Sequence, residues 1–338
     1  MTINMALIGA GRIGNVHAQT IMNMIPNAKI ISVADYYLPA AQALAEQYHI
    51  PLATPDHSKA IHHPGVDAVV IASSTDTHAT FMIDAANAGK HIFCEKPIAS
   101  TLSKIDEALA TVKDAGVKLQ IGFNRRFDTN FKRIKHAIDS GEIGTPQLLH
   151  IISRDPTPPP IEYIKVSGGI FFDMTIHDFD MARFLFGDVE EIYAAGAVLV
   201  DDAIGQAGDI DTTHITLKFV NGAIGTIDNS RQAAYGYDQR VEAFGSLGSA
   251  SNANVFPDQV TISTGDMIKR GSLPVHFFLD RYMRTYIQEL TEFVDCIQHD
   301  KLVPVSGYDG RVPVVMAMAA QQSYAENRPV KLSEIEKH

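Results

Sequence analysis

Short, fully apolar runs alternate with helical patterns through the first third of the chain. Residues 3–8 read as a buried strand, followed by a Gly-rich turn and a helical stretch to about Met24. The alternation repeats at 29–34 and 38–48, at 68–72 and 77–88, and at 91–94, 102–115 and 118–121. Strands apolar on both faces, with helices between them, predict a parallel sheet covered on both sides. After about Asn124 the pattern changes. A helical stretch at 129–138 leads to a strand at 147–153, a stiff proline-rich loop at 156–160 and a helix expected over 168–186. Strand-like runs follow at 192–200, 213–219, 223–228, 240–244 and 260–263, with Asn221-Gly222 as a hairpin turn between two of them. Helical stretches at 277–299 and 312–326 close the chain. The expected class is α/β in two domains, 1–123 and 124–338, with the last helix packing back on the first.

Composition removes several functional classes. Hydrophobic residues make up 46% and charged residues 20%, which is too apolar for a disordered chain. A net charge of −11 repels phosphate backbones and anionic lipid, so neither nucleic acid nor membrane is an expected partner. No apolar run approaches the roughly 20 residues that span a bilayer. Residues 1–4 lack the basic start of a signal peptide, and only Cys94 and Cys296 occur, so a reducing cytoplasmic location is expected.

The first strand runs into Gly9-Ala10-Gly11-Arg12-Ile13-Gly14, a G-x-G-x-x-G motif in strand–turn–helix context. The first glycine permits a tight turn, the second lets backbone approach a pyrophosphate, and the third lets helix pack on strand. Asp35 ends the second strand, where an acid binds ribose hydroxyls and repels a 2′-phosphate. NAD is therefore the expected cofactor. Ser73, Thr75 and His78 follow the 68–72 strand and are expected on the cofactor side, with Thr77 as a helix cap. Glu95 and Lys96, in Cys94-Glu95-Lys96-Pro97, follow the 91–94 strand on the same side. As a pattern alone, Lys96 reads either as a solvated loop charge or as a cation touching nicotinamide and substrate. Asp173 and His177 are four residues apart on an expected helix and share a face. They read as a carboxylate holding a general base, as a plain ion pair, or as part of an acidic run that holds metal; without a third clustered ligand no metal is expected. His62-His63 reads as a solvated helix end, and Cys94 as a small apolar core residue.

The succession G-A-G-R-I-G, C-E-K-P and G-G-I-F-F-D-M-T-I-H-D-F-D-M-A-R-F-L resembles the glucose–fructose oxidoreductase/inositol dehydrogenase family. Residues 168–185 resemble its bacterial inositol 2-dehydrogenase branch most closely, and the similarity extends through 120–128 and 235–238. The resemblance implies a Rossmann domain followed by an α+β domain with a large, open, mainly antiparallel sheet, assembled as a homotetramer. It implies NAD-dependent oxidation of myo-inositol to the 2-inosose, in inositol catabolism, with Lys96, Asp173 and His177 as the catalytic residues. These three, with Arg126, Asp155 and Tyr235, are the implied substrate contacts. Two alternatives stand beside it. One is a dehydrogenase for another inositol isomer, such as scyllo-inositol, or for an aldose. The other is a catalytically silent regulator that senses NAD(H).

Overall fold

In the computed structural model, residues 2–336 are described. The strands expected from the first third form one sheet: β1 (Ile3–Ile8), β2 (Ala28–Ala34), β3 (Leu52–Thr54), β4 (Ala68–Ile71), β5 (His91–Glu95) and β6 (Leu119–Gly122). Their order is β3-β2-β1-β4-β5-β6 and every pair is parallel. Helices α1 (Arg12–Met24), α2 (Leu38–Tyr48), α3 (His57–Ile61), α4 (Thr75–Asn87) and α5 (Leu102–Ala115) connect them. All four residues of β4 are buried, as a strand covered on both faces requires. The order reverses between β1 and β4, so their carboxyl ends open the crevice where sheets of this kind bind ligands. β3, three residues between Pro51 and Pro55, is too short to show a periodicity and was not expected.

The remaining elements are α6 (Thr129–Asp139), β7 (Pro146–Arg154), α7 (Ile161–Ile164), α8 (Ile176–Phe186), β8 (Val189–Ala197), α9 (Asp202–Gln206), β9 (Thr212–Phe219), β10 (Ile224–Ser230), β11 (Asp238–Gly245), β12 (Gly248–Ser251), α10 (Phe278–Gln298) and α11 (Gly307–Glu326). Six of these strands and the short Val330–Lys331 form a second sheet, ordered β12-β11-β7-β10-β9-β8 and then Val330–Lys331. It is antiparallel except at β7–β10, which run parallel. Along β9, Thr213, Ile215, Leu217 and Phe219 are buried and the residues between them are not, the period of a strand with one covered face. The opposite face leaves Leu148, Tyr193, Ile224 and Phe244 each more than a third exposed. Asn221 and Gly222 make the β9–β10 turn; Asn221 accepts the Ala223 amide and donates to the Phe186 carbonyl.

Three expectations change. The helix expected over 168–186 is interrupted: Gly168 and Gly169 both have positive φ, Phe171–Thr175 forms a wider π turn, and only then does α8 begin. The strand expected at 260–263 shrinks to Thr261–Ile262. It is exposed and paired only with Arg270–Gly271, because no apolar face gives it a place in the large sheet. The last long helix starts at Gly307, a turn and a half before Val312, with Pro313 inside it.

The chain divides into two units, one made of 2–127 with Arg284–Val314 and the other of Asp128–Met283 with the chain from Val315 onward. The first therefore ends four residues past the expected boundary and is completed by a later segment. Leu290, Phe293 and Val294 of α10 join the core built from Met5, Leu7, Ile21, Ile30, Val70 and Phe93. The Phe93 and Phe293 rings meet edge to face at 5.9 Å. Gln120 donates to the Glu289 carbonyl at 2.8 Å, and the Ile121 amide to the Val305 carbonyl at 3.1 Å. Among the described residues no helix is long and apolar enough to cross a membrane.

Candidate active site

The first unit presents the glycine turn at the carboxyl end of β1. Gly9 has φ +102°, and a Cβ there would stand 2.4 Å from the Ala72 carbonyl oxygen; one on Gly14 would stand 2.0 Å from that of Gly9. Gly11 differs, for a Cβ there would meet nothing within 4 Å. The second glycine thus faces open space, beside the first amides of α1, a 13-residue helix. That is the arrangement a pyrophosphate needs, since helix N-terminal N–H groups and the helix dipole both favour an anion. Asp35 is locked alongside: its carboxylate accepts the Ala10 amide at 2.7 Å and the Tyr37 amide at 2.9 Å. With two amides satisfied, it keeps lone pairs for ribose hydroxyls. The residues present fit a dinucleotide, with 9–14 for its phosphates and Asp35 for its ribose.

Lys96 follows β5 and is held through both neighbours. Glu95 pairs with Gly122 in the sheet, and its carboxylate lies where a Cβ on Gly122 would come within 3.1 Å. His17, wholly buried on α1, meets Glu95 through Nε2 and Oε1 at 2.7 Å. On the other side, the Pro97 carbonyl oxygen is 2.8 Å from His78 Nδ1, while His78 Nε2 is 3.1 Å from the Ser73 carbonyl oxygen. Burial pushes the His78 pKa down, against two carbonyls that favour its protonation. A neutral imidazole donates only one of those bonds. His78, expected on the cofactor side, therefore lies buried with its ring against the loops of Ser73 and Pro97. Thr77 is not a cap: α4 starts at Thr75 with Ser74 in the cap position, and the Thr77 hydroxyl donates to the Ser74 carbonyl. Cys94 is buried, and burial raises its thiol well above the usual value, so it is inert packing.

Behind Glu95 lies a group the sequence did not reveal. A ring nitrogen of His17 and one carboxylate oxygen each from Glu95 and Glu289 lie within 4.8 Å of one another. Burial, and then the charge of Glu95, push the Glu289 carboxyl well above the usual range. Neither of its oxygens has a hydrogen-bond partner. A protonated Glu289 resolves the charge, because an ionised carboxyl in an apolar core beside a second one is the costly alternative. The only available sign was the position of His17, three residues past Gly14 on the buried face of α1.

The second unit holds Asp173 and His177. Asp173 sits in the π turn and His177, half-buried, is the second residue of α8, so the regular α-helical spacing inferred from the sequence does not span them. The Asp173 carboxylate accepts the Tyr163 hydroxyl at 2.8 Å on Oδ1 and faces Arg231 Nη1 at 3.1 Å on Oδ2. Neither partner was anticipated; they lie 10 and 58 residues away in sequence. Asp155 follows β7, its amide bonded to the Ser230 carbonyl at 2.9 Å. The Tyr235 hydroxyl donates to Asp238 at 2.5 Å and accepts from Arg154 Nη1 at 3.1 Å, and Arg154 grips Asp228 through two nitrogens. Although burial works the other way, bonds from Arg240, Tyr235 and Asn254 hold Asp238 below the usual carboxylate range. Arg126 belongs to the first unit, is buried, and meets Asp309 at 3.1 Å.

Two families of sequence match these units. Residues 3–123 match the oxidoreductase family with an NAD-binding Rossmann fold, and residues 131–251 match the GFO/IDH/MocA C-terminal domain. The chain belongs to the GFO/IDH/MocA oxidoreductase family. It is 49% identical to the uncharacterized oxidoreductase YrbE of Bacillus subtilis, over 98% of this chain and 97% of that one. It is 46% identical to the myo-inositol 2-dehydrogenase of Thermotoga maritima, over 98% of this chain and 99% of that one. The crystal structure of scyllo-inositol dehydrogenase from Lactobacillus casei, with bound NAD(H) and scyllo-inositol, superposes with a TM-score of 0.92 at 27% identity. That match covers 98% of this chain and all of the other. As a GFO/IDH/MocA member the protein is an NAD-binding oxidoreductase, in agreement with the glycine turn and Asp35.

The Glu289 carboxyl makes stability depend on pH. In the unfolded chain it ionises at an ordinary carboxylate pKa; in the folded chain that pKa is raised. The stability linked to it is intact below the unfolded pKa and is lost as pH rises toward the folded one. Glu289→Gln keeps the shape and removes the titration. Melting temperatures of the two proteins should converge near about pH 5 and separate in favour of the variant toward about pH 8. A gap that shrinks as pH rises would show Glu289 to be charged and favourably paired.

Proposed function

We propose that this GFO/IDH/MocA oxidoreductase oxidises an inositol at a secondary alcohol, and that myo-inositol, taken to the 2-inosose, is its preferred substrate. The observation that carries the reading is the 46% identity, along 98% of the chain, to a relative named for myo-inositol. NAD, when bound, supplies the carbon that accepts the hydride. His177 takes the hydroxyl proton as general base, and Asp173 orients and supports the imidazolium so formed. Lys96 stabilises the negative charge that grows on the alcohol oxygen as the hydride leaves. Arg126, Asp155 and Tyr235 hydrogen-bond the ring hydroxyls. A neutral polyol suits them because each hydroxyl both donates and accepts. Scyllo-inositol is the second reading, favoured by the likeness to the Lactobacillus casei enzyme that binds it.

The assembly in this reading is a homotetramer that covers Leu148, Tyr193, Ile224 and Phe244 on the open face of the second sheet, with a dimer as the smaller alternative. The location is the cytoplasm, in keeping with two buried cysteines that form no disulfide.

NADH formation across myo-inositol, scyllo-inositol and a set of aldoses should be fastest with myo-inositol, and no turnover with any of them would return the protein to the class of NAD sensors. His177→Ala should lower kcat by about 10²–10⁴-fold while NAD affinity holds; near-normal turnover would leave the proton route unassigned. Asp35→Ser should weaken NAD use and improve relative NADP use, because the charge opposing a 2′-phosphate is gone. A wild type already faster with NADP in paired assays contradicts this role for Asp35. Light scattering should read a tetramer at working concentration, and a stable monomer would reject the assembly.

A further inference from the structure

Arg231 heads the largest fully buried side chains, with 1% of its side chain exposed. A guanidinium so enclosed needs counter-charges at hydrogen-bond distance. Two carboxylates supply them: Asp173 Oδ2 lies 3.1 Å from Nη1 and Asp209 Oδ2 lies 3.3 Å from Nη2. The other oxygen of Asp209 accepts the Ile170 amide at 3.0 Å, immediately before the π turn. A Cβ on Gly169 would stand 2.9 Å from that oxygen, so the glycine makes room for Asp209. One guanidinium therefore ties the entrance of the π turn, through Asp209, to Asp173 in its middle, while Tyr163 holds the remaining Asp173 oxygen.

We propose that Arg231 is a positioning residue for the oxidation: it fixes Asp173 in the orientation from which that carboxylate supports His177. The inference rests on the catalytic role given to Asp173 above. The charge count agrees with it. Two carboxylates against one guanidinium leave a single net negative charge, matched to the single positive charge that His177 acquires when it takes the proton. Lysine at 231 would keep the charge but not the planar fork that reaches two carboxylates at once.

The test compares Arg231→Lys, Arg231→Gln and Asp173→Asn with wild type. Melting temperature, kcat, and KM for NAD and for the polyol are measured on the same preparations. Arg231→Lys should fold, melting below wild type because one carboxylate loses its partner, and lose about 10-fold to 10²-fold in kcat per folded molecule, the scale of a small displacement at a catalytic group, with KM for NAD unchanged. Arg231→Gln should lose more, and Asp173→Asn at least as much. Should Arg231→Gln fail to fold, Arg231→Lys decides alone. A wild-type kcat in Arg231→Lys, with Asp173→Asn slow, overturns the positioning role and leaves Arg231 as a purely structural charge. A wild-type kcat in Asp173→Asn instead overturns the catalytic reading on which the inference rests.

Discussion

A guanidinium taken out of water has to be met by carboxylates at close range, and that demand organises the second unit around Arg231. Its counter-charges come from two places in the chain, the π turn with Asp173 and the segment after α9 with Asp209; in that second segment the Arg231 amide, just past β10, also donates to the Asp211 carbonyl at 2.8 Å. The two ion pairs add a side-chain tie between these segments, and one of them ends on Asp173, the proposed support of the base. The same device recurs at Arg281, buried against Asp128 and stacked over the Tyr282 ring at 4.7 Å.

The first unit solves a different problem. It must leave backbone N–H groups available at Gly11 and α1 while fixing the acids Asp35 and Glu95. Asp35 is fixed by two amides and Glu95 by a buried imidazole. Lys96 is thereby carried on a loop whose neighbours on both sides are tied down, one by a side chain and one by a carbonyl. Rigid support for the backbone of a charged residue limits the positions its ammonium can sample without removing the charge from the site.

How much of this could be read from the sequence depended on whether the information was local. The parallel strands and the glycine turn were legible because apolar runs and a turn motif are properties of neighbouring residues. Asp35, Lys96, Asp173 and His177 stood out because each lies in a short pattern. The partners did not. Arg231 is 58 residues from Asp173, and Glu289 is 169 residues from Gln120, to which its carbonyl is bonded; nothing in a window of ordinary length connects them. The π turn was hidden for another reason: residues 170–186 are as compatible with one regular helix as with a widened turn followed by α8. The contacts that accompany the widened turn, from Asp209 and Arg231, come from far along the chain. The one parallel pair described in the second sheet, β7 with β10, was equally invisible, because strand direction is set by the path of the chain between them.

The first unit takes Leu290, Phe293 and Val294 from α10 into its core. A ribosome delivers the chain from the amino end, and domains ordinarily settle in the order in which they emerge. Here that order is unavailable. When the last strand of the parallel sheet, ending at Gly122, has been synthesised, the first of the α10 side chains that close its core, Leu290, still lies 168 residues further along the chain. The nascent amino-terminal third must wait, with part of its core uncovered, until α10 has been synthesised. For such a chain the interval between those two moments is time during which apolar core surface stays open to aggregation.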